Sequence, residues 1–195
     1  MKRISLLLAF ISILFISNSK AQAIAVSGNL GWAQPNGKAF DYDDGWSGGL
    51  NYCVDVLYYI PKFEGKLGAG IVYNTSLIGG GGSSEGLFDV DLYTLNLYGL
   101  KGSYRFFNSK VTPYAALSTG LTRLVTPEVS QDGEVIIESE KSFSFGLLPE
   151  VGIELAGLKL SVSYLVPMKY KTFAGEKQSV GITQFTIGYR YKFGL

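Results

Sequence analysis

The chain of 195 residues has no histidine, a single cysteine and two methionines, and only 17% of it is charged. Each shortage removes a class of chemistry. Without histidine there is no Ser-His-Asp or Cys-His catalytic group and no histidine-ligated zinc. Cys53 alone makes neither a zinc knuckle nor an internal disulfide. The 17 basic and 16 acidic residues nearly cancel, while 47% of the chain is apolar, so the composition belongs to a packed structure rather than a disordered one. No apolar run reaches the roughly 20 residues that a membrane-spanning helix needs.

The longest such run, Ile4 to Ile16, follows the basic start Met1-Lys2-Arg3 and precedes Ser17-Asn18-Ser19-Lys20-Ala21-Gln22-Ala23. This is the pattern of a secretory signal peptide over residues 1–23, with Ala21-Gln22-Ala23 as the small-residue cleavage site. Cleavage is expected after Ala23, with Ala21 the neighbouring alternative. No cysteine stands just after the run to accept a lipid anchor, the only one being Cys53. Removing Lys2, Arg3 and Lys20 takes the basic count from 17 to 14 against 16 acidic residues, a net charge of −2. A nucleic-acid partner is therefore not expected.

What is abundant is glycine, tyrosine and phenylalanine, with 25, 13 and 12 copies, arranged with a period of two. Phe143, Phe145, Leu147, Val151, Ile153 and Leu155 alternate with Ser142, Ser144, Gly146, Glu150, Gly152 and Glu154. Leu158, Leu160, Val162, Tyr164, Val166 and Met168 then oppose Lys159, Ser161, Ser163 and Lys169. Phe185, Ile187, Tyr189, Tyr191, Phe193 and Leu195 oppose Gln184, Thr186, Gly188, Arg190, Lys192 and Gly194. Five earlier strands are read at about 24–34, 45–58, 66–78, 92–106 and 112–124. Leu95-Asn96-Leu97 breaks the alternation of the fourth, which predicts a β-bulge there. In the fifth, Leu117 and Leu121 are placed on the apolar face.

The intervening segments alternate long and short: 35–44, 59–65, 79–91, 107–111, 125–140, 156–157 and 171–180. Long loops at one end and short turns at the other are the habit of an up-and-down membrane barrel. The long ones carry the polar load: Asp41, Asp43 and Asp44; Gly79 to Gly82 with Ser83-Ser84-Glu85; and Glu128, Asp132, Glu134, Glu138 and Glu140. The polar strand faces are rich in Gly, Ser and Thr, which suits a narrow interior more than a free surface. Strands of 11 to 15 residues exceed the usual globular length of about 5–6. Aromatic residues gather at both strand ends, Trp32, Trp46, Phe143 and Phe145 at one and Tyr58, Tyr104, Phe106, Tyr191 and Phe193 at the other, as interfacial girdles do. The expected fold is all-β: after a cleaved signal peptide, residues 24–195 form an eight-stranded antiparallel up-and-down transmembrane β-barrel.

The segment from Thr186 to Phe193 carries the pattern polar, x, Gly, x, x, aromatic, x, aromatic on Thr186, Gly188, Tyr191 and Phe193. It resembles the assembly signal of outer-membrane β-barrel proteins, departing from it by the additional Gly194-Leu195. Leu95 to Phe106, followed by Thr112-Pro113-Tyr114, resembles the central hairpin of small OmpA/OmpX-like barrels. The resemblance covers the whole mature chain and leaves no room for a periplasmic peptidoglycan-binding domain. It implies residence in the outer membrane of a Gram-negative bacterium with both chain ends periplasmic. Outer-membrane lipid, lipopolysaccharide and the barrel-assembly machinery are the partners it implies, with an extracellular or secretion-system protein as a further one.

Several residues invite a chemical reading. Glu154 and Lys159 straddle the tight turn at 156–157, with Asp55, Lys66, Lys101, Arg105, Glu150, Arg190 and Lys192 on inward faces nearby. They are expected to form an ion-paired network filling the lumen, against the alternative of a charged pore or gate. Glu150 and Glu154, four residues apart on one strand face, lie about 13 Å apart and do not make an acid–base pair. Asp41-Tyr42-Asp43-Asp44-Gly45 does not complete a calcium loop, and Gly79 to Gly82 lacks the lysine and helix of a phosphate cradle. No catalytic residue, cofactor or metal is expected. The leading function is that of a non-enzymatic integral outer-membrane protein with a structural or surface-interaction role and acidic loops. An accessory barrel of a secretion or assembly machinery, and an exported soluble lipocalin-like carrier with its apolar faces inward, are the alternatives.

Overall fold

A computed structural model describes residues 23–36, 48–79, 89–90, 92–127, 129–131, 134–171 and 177–193. The signal segment through Gln22 lies outside the described residues. So do Asp41, Asp43, Asp44, Trp46, Gly80 to Glu85, Glu128, Asp132, Gly194 and Leu195.

Eight long strands form the wall: β1 (Ala23–Asn36), β2 (Gly49–Tyr59), β3 (Leu67–Ile78), β5 (Tyr93–Arg105), β6 (Val111–Val125), β9 (Lys141–Leu155), β10 (Leu158–Lys171) and β11 (Lys177–Phe193). They close in the order β1-β11-β10-β9-β6-β5-β3-β2, every neighbour antiparallel. The seam between first and last strand is paired from Ile24↔Phe193 to Asn36↔Gly181. Short strands β4 (Asp89–Val90), β7 (Val129–Gln131) and β8 (Glu134–Ile137) make a separate three-stranded sheet at the loop end. Two of the expected loops are thus partly ordered against each other. The turns at the other end are tight, one being a 3-10 turn at Pro61–Phe63 and another Ala156-Gly157, both residues of which have positive φ. The last long connection is shorter than the sequence indicates, because β11 already starts at Lys177.

The apolar faces point outward. Leu30, Trp32, Ile71, Leu100, Phe145, Val151 and Ile187 are among the exposed apolar side chains, whereas Ser27, Asn51, Asp55, Lys101, Glu154 and Arg190 are buried inside. This is the reverse of a soluble carrier, and it removes the lipocalin-like alternative. In β6, Leu117 and Leu121 are exposed and Ser118 and Thr122 buried, as expected.

The predicted bulge is not in β5. Both ladders of β5 run without a shift through Leu95-Asn96-Leu97. Leu95 and Leu97 point inward because the loop half of the interior is apolar, and they pack in a cluster with Leu124, Leu148, Leu165 and Ile182. Asn96 faces outward, and its amide oxygen accepts hydrogen bonds from Tyr73 Oη at 3.1 Å and Thr75 Oγ1 at 2.9 Å, which satisfy that oxygen at the apolar exterior. The irregularity lies in β10, between Leu165 and Met168. Pro167, which has no N–H to give a ladder, falls inside it. Beyond the bulge the faces exchange: Met168 packs against the interior cluster and Lys169 is exposed, opposite to the simple alternation.

At two inward glycines the neighbouring strand comes too close for any side chain. Gly99 and Gly120 are register partners on β5 and β6. A Cβ built on Gly99 would lie 2.1 Å from the carbonyl oxygen of Thr119, and one on Gly120 equally close to that of Tyr98. Gly102, on the outward face of β5, has open space instead. Gly120→Val is therefore expected to abolish the detergent-resistant folded form, read as loss of the band that shifts on boiling in gel electrophoresis. Gly102→Val should retain it.

Candidate functional site

The buried charged side chains among the described residues are concentrated inside the turn half of the barrel. Alternation puts charged side chains inward on four strands and a fifth: Asp55 on β2, Lys101 and Arg105 on β5, Glu150 and Glu154 on β9, Lys159 on β10, and Arg190 and Lys192 on β11. Eight strands leave a bore that these side chains fill.

They sort into two groups. The deeper one is balanced. Lys101 Nζ donates to Asp55 Oδ2 at 3.0 Å and Glu150 Oε2 at 2.7 Å. Lys159 lies 3.8 Å from Asp55 and 3.5 Å from Glu150. Tyr114 Oη donates to Glu150 at 2.6 Å, and the Lys159 ammonium lies 5.3 Å from the centre of the Tyr114 ring. Two cations thus face two carboxylates across the lumen, the arrangement a low-dielectric interior requires.

The group nearer the turn end is not balanced. Glu154 alone meets Arg190 at 3.0 Å, Lys192 at 2.5 Å and Arg105 at 3.5 Å. Arg190 also donates to Ser27 Oγ at 3.0 Å and Tyr59 Oη at 2.7 Å. Glu154 and Lys159 are register partners, as their spacing predicts, yet each makes its ion pairs elsewhere. Lys66 stands apart from both groups. It sits at the turn before β3 and pairs with Glu64 at 2.7 Å, and this hydrogen bond and charge hold the Glu64 carboxyl below its ordinary pKa. Its place just beyond the strand end lets its long side chain turn toward its turn neighbour instead of the lumen.

Above the charges lies a layer of amides and hydroxyls that the sequence reading did not single out. Gln184 donates to Asn74 at 3.0 Å and Ser76 at 3.1 Å, Asn51 donates to Asn74 at 3.2 Å, and Ser163 donates to Gln184 at 2.9 Å. Their signal was present as the inward positions of an alternating strand, but uncharged residues give no hint of which partners they reach. Cys53 is buried and free between this layer and Asp55. The apolar cluster fills the loop half. No group of three or more metal-ligating side chains occurs among the described residues.

The positions that resemble an assembly signal lie on the closing strand. Tyr191 and Phe193 are exposed outward, their rings edge-to-face at 4.6 Å. Thr186 points inward, its hydroxyl 2.7 Å from that of Ser161. A Cβ on Gly188 would lie 2.3 Å from the Gly28 carbonyl oxygen across the seam. Ala23 opens β1 opposite Tyr59, and Ala21 lies outside the described residues.

No protein-family model and no curated protein matches the chain. Solved structures do. Neisserial surface protein A matches with a TM-score of 0.63 at 20% identity, over 89% of this chain and 100% of that one. Ail, the attachment invasion locus protein of Yersinia pestis, matches at 0.53 and 16%, over 87% of this chain and 99% of its own. A major outer membrane protein of Thermus thermophilus matches at 0.51 and 13%, over 89% of this chain and 100% of its own. At such identities the likeness concerns architecture, and the chain has the fold of the small eight-stranded outer-membrane β-barrels.

Proposed function

We propose that this chain is a non-enzymatic, non-conducting integral outer-membrane protein whose barrel serves as a rigid mount for its loop end. The observation that supports this most is the interior, where paired charges, an amide layer and an apolar cluster succeed one another from the turn end to the loop end. An ion crossing it would have to leave water, part ion pairs and then pass between leucines. The charged side chains here secure the wall by cross-lumen bonds and are bonded to one another, not poised over a substrate.

The outer surface fits a lipid bilayer with lipopolysaccharide on the loop side. Exposed apolar side chains cover the wall, and Trp32, Phe143 and Phe145 face outward toward the loop end, Tyr58, Tyr104, Phe106, Tyr191 and Phe193 toward the turn end. Lys141, Lys169, Lys171 and Lys177 are exposed at the loop ends of β9, β10 and β11, where lipid phosphates would meet them. The acidic loops would then face outward, with an extracellular or secretion-system protein as partner. The pattern on Thr186, Gly188, Tyr191 and Phe193 would be read by the barrel-assembly machinery.

Glu154→Ala leaves three cations without their shared carboxylate. It should lower the unfolding free energy in detergent by about 3–5 kcal/mol while adding no single-channel current in planar bilayers. A raised current would mean that the cluster gates a pore. Orientation is tested with Cys53→Ala as background: an impermeant maleimide on intact cells should label Ser139→Cys at the loop end and spare Ser109→Cys at the turn end. The opposite pattern would place the loops in the periplasm.

A further inference from the structure

The unbalanced charge at the turn end opens on a recess of about 250 Å³. It is lined by Arg105, Lys110, Glu154, Arg190 and Lys192, with Ser109 and the Ala156-Gly157 turn at its rim. Four cations thus surround one carboxylate.

That excess contrasts with the deeper charges, which cancel, and the burial of its two guanidinium groups bears on what the recess can take. Arg190 is 2% exposed and Arg105 9%, so both guanidinium groups have lost nearly all contact with bulk water. Yet Arg190 Nη2 and Arg105 Nε are buried without a hydrogen-bond partner. A guanidinium offers five donors in a fixed plane, and a buried donor left unused keeps the full cost of its lost hydration. The Arg190 fork is held in place by Ser27, Tyr59 and Glu154 through its other nitrogens, so its orientation is set by the wall. Lys110 sits in the exposed turn, where it makes no ion pair among the described residues.

We infer that the turn-end recess is an anion site that takes a phosphate group, with Arg105, Lys110, Arg190 and Lys192 as its cationic lining. Phosphate suits it better than a single carboxylate because its charge approaches two and its several acceptor oxygens can meet guanidinium and ammonium donors from different strands. Two sources carry that chemistry, a free phosphate and the headgroup of a lipid in the adjoining leaflet, since Tyr189 and Tyr191 of the same rim face outward.

The test uses the full-length protein in zwitterionic detergent, titrated with inorganic phosphate at constant ionic strength against chloride. The readout is the temperature at which the folded band converts to the boiled one. Phosphate well above its Kd should raise it by about 5 °C or more, and chloride should not. Lys110→Gln, a change in an exposed turn that cannot unfold the barrel, should weaken the phosphate response several-fold, and Arg105→Gln/Lys110→Gln should abolish it. Lys66→Gln, at the neighbouring turn, should leave it intact. Equal responses to phosphate and chloride, or an unchanged response in Arg105→Gln/Lys110→Gln, would overturn the site. Repeating the titration in phosphatidylglycerol and in phosphatidylcholine vesicles separates the sources. A phosphate response lost only in the anionic vesicles assigns the site to a lipid headgroup, and one kept in both assigns it to free phosphate.

Discussion

In a hydrocarbon solvent no water is present to take up a free backbone N–H or C=O, so a sheet that crosses it has to close on itself. Here that closure falls between the first and the last strand, and it carries the longest consequences. With β1 and β11 paired from Ile24↔Phe193 to Asn36↔Gly181, the number of strands is fixed at eight and the bore at little more than the width of its own side chains. Whatever points inward must therefore find its partner among the other inward residues. Lys101, reaching from β5 to Asp55 on β2 and Glu150 on β9, ties together strands that share no ladder with one another. Such bonds brace the wall across its diameter, which backbone pairing alone does not do.

The order of the interior follows from the same limit. Deep inside, two cations and two carboxylates balance, because an uncompensated charge there would cost several kcal/mol. The surplus of positive charge around Glu154 lies nearer the mouth, beside the turn-end recess. Toward the loops the interior becomes apolar, and there alternation no longer sorts polar from apolar residues: leucines line both the inside and the outside of the wall. Asn96 is the exception that shows the rule for the outer face, since it is accepted there only with hydrogen bonds from Tyr73 and Thr75.

This division explains what could be read from the sequence and what could not. Strand number, facing and the alternation of loops and turns were legible wherever the inside is polar and the outside apolar, as in Phe185 to Phe193 against Gln184 to Lys192. Where both sides are apolar, alternation carries no signal of facing. Leu95-Asn96-Leu97 looked like a change of phase although its ladders are regular, while the real bulge around Pro167 was hidden because Val166 and Met168 are both apolar whichever way they point. Inward charges were legible as positions, but not as pairs. Glu154 and Lys159 face each other across a ladder and still bond elsewhere, since closure brings Arg190, Lys192 and Arg105 to Glu154 from strands far away in sequence. Lys66 was misplaced because a residue just beyond a strand end is free to turn toward its local partner Glu64.

The closing strand also shows why a short motif can carry more than one constraint. Gly188 belongs to a pattern that resembles an assembly signal, and a reader of that pattern would need no other reason for a glycine. The seam supplies one independently. Gly188 faces Asn29 across the β1–β11 ladder, and any side chain on it would run into the Gly28 carbonyl oxygen and the Asn29 side chain. The outward Tyr191 and Phe193 stack edge-to-face on the surface, while the inward Arg190 and Lys192 between and beside them hold Glu154. One strand thus closes the sheet, presents aromatic rings to the lipid interface and supplies half of the cations around the turn-end recess. The same alternation serves all three, because closure turns its even positions inward and its odd positions out.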